Sequence, residues 1–135
     1  MSDKKINIKI ITHENELLNE QVDGVYSKGV DGEFGILPDH QPFMSALDIG
    51  VTKLDKGGEF EYITTMGGIF QFKDNEAIIL TDLAEKGSDI DVTRAKSAKE
   101  RAEARIGSSD VAVDTARAQI ALAKAMARLK AALKH

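Results

Sequence analysis

In INIKIIT, Ile6, Ile8 and Ile10 alternate with Asn7 and Lys9, the period-two pattern of a half-buried strand. Similar runs recur at VDGVYSK, SALDIGVTKLD, EFEYITTM, IFQFK and EAIILTDL. Between them stand the turn signals VDGE, LPDHQP, DKGGE, MGG and KDNE. Short strands at about ten-residue spacing predict an antiparallel sandwich or barrel, not a parallel sheet. Its core is expected to draw on Ile10, Val25, Phe43, Leu47, Phe70, Ile78 and Leu80.

The period changes at Asp91. At 100° per residue, Val92, Ala95, Ala98, Ala102 and Ile106 share one helical face, with Asp91 as N-cap and Gly107 as the stop. One of Ser108, Ser109 and Asp110 is expected to cap a second helix, over about 111–133. That helix carries two apolar stripes: Val113, Ala116, Ile120, Ala127 and Ala131 on one side, and Leu122, Met126, Leu129 and Leu133 on the other. Two stripes need two packing partners. The first helix supplies one; the β-structure or another protein must supply the second. The predicted organisation is an antiparallel β-sandwich or barrel over 1–87 followed by an antiparallel helical hairpin over 88–135. Alanine-lined contacts bury little apolar area, so the sequence permits a hairpin that opens easily.

Composition sharpens this division. Every aromatic residue, both prolines and all but one glycine precede residue 90. Residues 1–90 carry 8 Lys+Arg against 17 Asp+Glu, and residues 91–135 carry 10 against 5. An acidic body with a basic tail implies that the tail folds back or meets an acidic partner; the excess is too small to point to nucleic acid. No apolar run is long enough to span a bilayer, and MSDKKINIKI lacks the basic-then-apolar pattern of a secretory signal. The absence of cysteine excludes a disulfide framework and thiolate metal sites and fits a cytosolic setting.

Candidate chemistry is sparse. His13, His40 and His135 lack metal-ligand spacing, and His40, in LPDHQPF, reads as a loop-stabilising donor. There is no phosphate loop, nucleophile elbow or distinct acid–base carboxylate pair, so no catalytic constellation can be assembled. Glu33, between two glycines, reads as an exposed turn carboxylate or as part of a shaped contact loop. Arg94, Arg101 and Arg105 on the first helix and Arg117, Lys124 and Arg128 on the second form two cation rails. Pairing outward from the loop sets Arg101 near Arg117 and Arg94 near Lys124 and Arg128. Such rails serve as solvated faces, as an anion site matched to phosphate, or as a dock for an acidic partner.

Together, DGEFGILPDHQPF, ITTMGGIFQF and IDVTRAKSAKERAEARI followed by a second alanine-rich helix closely resemble the epsilon subunit of bacterial F-type ATP synthases. The resemblance covers essentially the whole chain. It implies a flattened antiparallel β-sandwich of about ten strands with a regulatory hairpin and a non-catalytic rotor role in the central stalk, at the cytoplasmic face of the cell membrane, held there only through the complex. Its implied partners are the gamma subunit, the c-ring and, for an extended hairpin, alpha and beta. Glu33 and His40 match the segment that faces the c-ring. Arg117, Lys124 and Arg128 would meet an acidic segment of beta. The resemblance also implies that the hairpin permits turnover when folded down and suppresses ATP hydrolysis when extended.

Several members bind ATP through [I/L]DxxRA, which stands here as Ile90, Asp91, Val92, Thr93, Arg94 and Ala95. Glu85, Arg101 and Arg128 match further nucleotide-contacting positions, and Lys124 stands where a nucleotide-binding relative has arginine. Loss of that fork would weaken phosphate contact by about 1 kcal/mol. No cofactor is required in this reading. ATP is a regulatory ligand, and the part played by Mg²⁺ is left open. The alternatives are a stalk assembly module without ATP sensing and a stand-alone nucleotide sensor.

Overall fold

A computed structural model describes residues 4–110 and 114–134. Val113 and His135, both named above, lie outside these residues. Eight strands precede two helices: β1 (Ile6–Ile11), β2 (Glu16–Val22), β3 (Gly24–Gly29), β4 (Gly32–Ile36), β5 (Phe43–Lys56), β6 (Glu59–Lys73), β7 (Glu76–Leu80), β8 (Ala84–Lys86), α1 (Val92–Ile106) and α2 (Thr115–Lys134). A 3-10 turn, Gly87–Asp89, joins β8 to α1.

The strands form one sheet in the order β2-β1-β7-β6-β5-β3-β4, with β8 added to β6. The two long strands, of 14 and 15 residues, let this sheet fold over into two layers. They pair with each other from Phe43↔Phe72 to Lys56↔Glu59. The end of β6 at Ile69–Lys73 pairs with β7, whereas Ile63–Thr65 pairs with β8. Partners change across Gly67 and Gly68, at φ +80 and +116. MGG, expected to end a strand, is therefore a corner within one, and the strands number eight because β5 and β6 serve both layers. The predicted sandwich with a helical hairpin is the architecture observed, and β1–β7 is its parallel pair.

The core lies between the layers and includes Ile10, Val25, Leu47 and Phe70, with Phe43 packed against it. Phe34 stacks edge-on with Phe70 at 5.0 Å and tilts against Phe43 at 4.9 Å. In β7 the expected register is off by one residue: Ala77 and Ile79 point inward, Ile78 is half-buried and Leu80 exposed. EAIIL is apolar on both faces, so its alternation does not specify which face is buried. At the far end of the fold-over, Lys56 of β5 bridges Glu20 of β2 and Glu61 of β6. Burial opposes its charge, but the two carboxylates outweigh it and raise its pKa.

Candidate functional site

The hairpin is held to the sandwich by α2, and α1 packs chiefly against α2. Asp91 caps α1 as expected, its Oδ1 accepting from the Arg94 N–H at 3.1 Å. Gly107 closes α1 in a right-handed conformation, so the stop does not use glycine's access to positive φ. The cap of α2 is Asp114, which accepts from the Arg117 N–H at 3.0 Å; none of Ser108, Ser109 and Asp110 fills that role.

The apolar stripes of α2 also differ from expectation. Its buried residues are Ala118, Ala125, Ala127, Ala131 and Ala132. Ile120, Met126 and Leu133 are exposed by 50%, 52% and 71%. Ala127 and Ala131 of the first expected stripe are buried, as alanine-lined contacts implied, because only a methyl group fits where the backbones approach closely; Ile120 of that stripe and Met126 and Leu133 of the second are not. The approach to the sandwich is at Gly87: a Cβ there would stand 2.4 Å from the Ala131 carbonyl oxygen and 3.1 Å from that of Tyr62. Ala127 and Ala131 lie on this side, leaving the Ala118–Ala125–Ala132 row, spaced by seven, to meet α1. Ala95 and Ala102, also seven apart, are the buried residues of α1.

One ion pair joins hairpin and sandwich among the described residues: Arg128 Nε donates to Glu85 Oε1 at 2.7 Å, with both side chains half-buried. Two residues assigned to the nucleotide motif on separate elements are thus brought together, α2 to β8. Ile90 is half-buried and Ala95 buried at the start of α1, while Arg94 and Arg101 are exposed. Lys124 is half-buried one turn before Arg128, and Arg117 is exposed. Arg94, Arg101 and Arg117 are therefore accessible donors. They can accept an anion, but Arg128 already has a carboxylate partner.

The loop residues assigned to a protein contact lie elsewhere. Glu33 is exposed, but in β4, opposite Lys28 of β3; it belongs to an edge strand, not a turn. His40 sits at the end of the β4–β5 connection, its Nδ1 2.7 Å from the Gln41 carbonyl oxygen and its ring edge-on to Phe43 and Phe72 at 6.0 and 6.1 Å. Beside it Asp39, at φ +68, is fixed to the β6–β7 turn: its N–H donates to Asn75 Oδ1 at 2.6 Å and its Oδ1 accepts from Asn75 Nδ2 at 3.0 Å. Asn75, with help from Lys4, holds the Asp39 carboxyl below the usual range. The connection is thus pinned in shape.

Sequence reasoning missed a third surface. On the outer face of the β5–β6–β7 layer, Ala46, Ile69 and Leu80 are consecutive cross-strand neighbours. Ile69 and Leu80 are 44% and 45% exposed, and Met44, on the same face of β5, is 66% exposed. The signal was the doubly apolar β7. Among the described residues no three His, Cys, Asp or Glu side chains gather as a metal site, and no helix is long and apolar enough to cross a membrane.

Residues 5–87 match the family described as ATP synthase, Delta/Epsilon chain, beta-sandwich domain, and residues 88–132 match its long alpha-helix domain. The ATP synthase epsilon chain of Desulforamulus reducens is 43% identical over 129 residues, covering 96% of this chain and 98% of the relative. That of Nitratidesulfovibrio vulgaris is 42% identical over 128 residues, covering 95% and 96%. Among solved structures, a chain in the Euglena gracilis mitochondrial ATP synthase, OSCP/F1/c-ring in rotational state 1, superposes with a TM-score of 0.82 at 27% identity, covering 98% of this chain and 86% of that one. A chain of the Tetrahymena thermophila mitochondrial ATP synthase central stalk and c-ring shares the fold, with a TM-score of 0.63 at 16% identity, covering 98% and 99%.

Proposed function

Because this chain belongs to the ATP synthase delta/epsilon chain family, we propose that it is a non-catalytic central-stalk subunit whose hairpin regulates ATP hydrolysis. The observation that carries the reading is the seat of α2. A row of alanines, one close backbone approach at Gly87 and one ion pair hold the hairpin, while α1 rides on α2. Such a seat is adequate to hold the hairpin and weak enough to release it. Released, the hairpin carries Ile120, Met126 and Leu133 toward the alpha–beta assembly, with Arg117, Lys124 and Arg128 facing an acidic segment of beta. Seated, it leaves hydrolysis unimpeded.

In the same reading the sandwich joins two neighbours. The exposed Met44, Ile69 and Leu80 face offers gamma an apolar surface. Glu33, on its edge strand, and the pinned loop carrying His40 offer the c-ring polar contacts. The subunit reaches the cytoplasmic face of the membrane through these partners.

ATP is assigned to the Ile90–Ala95 motif with Glu85, Arg101, Lys124 and Arg128. A ligand taken only by the seated hairpin stabilises it by RT ln(1 + [ATP]/Kd), about 2.7 kcal/mol at a hundred times Kd. The second reading, a stalk module without ATP sensing, draws on one observation: Glu85 and Arg128 already satisfy each other. Calorimetric titration of the 135-residue chain with ATP separates the two. Saturable binding that is lost in Arg94→Ala supports the ligand switch; no heat at millimolar ATP leaves the seat governed by protein partners.

A further inference from the structure

On the side of α2 away from the Glu85–Arg128 pair, the hairpin and sandwich enclose a groove of about 350 Å³. Lys130 and Lys134 of α2 line it on one side, and Tyr26, Glu33, Lys53 and Tyr62 are among its residues on the sandwich. Three lysines and one glutamate therefore border the same space. Lys53 is half-buried, and its Nζ lies 5.0 Å from the Tyr26 ring centre and 4.4 Å from that of Phe60. Cation–π contacts hold it in place without neutralising it. None of the three lysines has an ion-pair partner among the described residues. Tyr26 is also fixed, since its ring lies over Gly35, where a Cβ would stand 2.6 Å from a ring carbon.

The end of a helix favours cations through its dipole, which accounts for Lys130 and Lys134 taken alone. It does not account for Lys53, which approaches from β5 on a separately formed element. Seating α2 brings these like charges around one concave space, at an electrostatic cost that a bound anion offsets. We infer that this groove is an anion site, distinct from the Ile90–Ala95 motif, for a small molecule bearing a polyphosphate chain. Lysine ammonium groups serve phosphate as mobile point charges, and the tyrosines add hydroxyl donors and ring surface. The groove exists only while α2 is seated, so its occupant favours the seated hairpin by mass action.

The test is a titration of the isotope-labelled 135-residue chain with inorganic tripolyphosphate, followed by amide NMR. Saturable shifts centred on Tyr26, Lys53 and Tyr62 are expected, unchanged in Arg94→Ala. They should weaken on the order of tenfold in each of Lys53→Gln and Lys134→Gln, the loss of one charge-assisted contact. Both lysines reach solvent, so the variants fold; Glu33→Gln, which removes the opposing carboxylate, should tighten binding. In the Arg94→Ala background ATP is the second probe: tighter binding than tripolyphosphate assigns a nucleotide, and equal binding assigns the phosphate chain alone. Shifts that do not saturate, that centre on residues 90–95, or that vanish in Arg94→Ala overturn the site.

Discussion

At Gly87 the absence of a side chain determines whether the hairpin can sit where it does. Gly87→Ala places a methyl group 2.4 Å from the Ala131 carbonyl oxygen, so α2 must lift or β8 must yield. A cost of about 1–3 kcal/mol is expected, confined to the seat. Hydrogen exchange should show α2 losing protection while β1 and β7 keep theirs. The Glu85–Arg128 pair, partly open to solvent, is worth about 1 kcal/mol at most. A double-mutant cycle should return that coupling, shrinking as salt rises. Asp23 provides a separate acid-sensitive contact: it pairs with Lys5 and accepts from the Gly57 N–H at 2.6 Å. The lysine, then the amide, lower its carboxyl pKa below 3.8. A depressed carboxylate contributes stability above its unfolded pKa and loses that contribution as pH falls through its folded one. The stability gap between the native chain and Asp23→Asn should therefore be full at neutral pH and close progressively below about pH 4, as read from urea midpoints.

Among the elements, β6 and α2 depend most on small residues. Gly68, at φ +116 with a would-be Cβ 2.0 Å from the Leu80 carbonyl oxygen, makes the corner by which β6 serves two layers. Gly68→Ala should destabilise the sandwich by several kcal/mol, whereas Gly57→Ala, at φ +68 in open space, should cost about 1 kcal/mol. Chemical denaturation of the two variants makes the comparison. On α2, Ala125→Leu should loosen the hairpin by about 1–3 kcal/mol, and Met126→Ala should change stability by less than about 0.5 kcal/mol. Much of this order was legible in the chain: the change of period at Asp91, its cap, and the strand of alternating isoleucines need only local rules. What was not legible depended on partners. ELLNEQV (β2) gives a weak alternation and is specified mainly by its pairing with β1. The two apolar faces of EAIIL leave register to the tertiary fold, and on α2 the pattern named Ala127 and Ala131 but did not show that Ile120, Met126 and Leu133 stay exposed.

Taken as a whole, the molecule joins a tightly cored sandwich to a hairpin attached chiefly through α2. The sandwich buries Phe70, Phe72 and a set of isoleucines almost completely, while α2 presents alanines to it. Stability is therefore distributed unequally, and the proposed regulation requires the hairpin to move without unfolding the rest. The Ile90–Ala95 pattern was legible in the chain, but the Glu85–Arg128 contact was not: no spacing rule pairs those residues across 43 positions. The groove of three lysines was equally hidden, since Lys53 and Lys134 meet only after folding. The central claim is that the seated hairpin leaves hydrolysis free and its release brakes it. Because the chain lacks cysteine, Glu85→Cys with Arg128→Cys permits a short, cleavable bis-maleimide link that holds the seat closed in the assembled ATP synthase. ATP hydrolysis at low ATP is the measurement. The account predicts a higher rate when linked, returning to the braked rate when the link is cleaved; a rate unchanged or lowered by the link would contradict it.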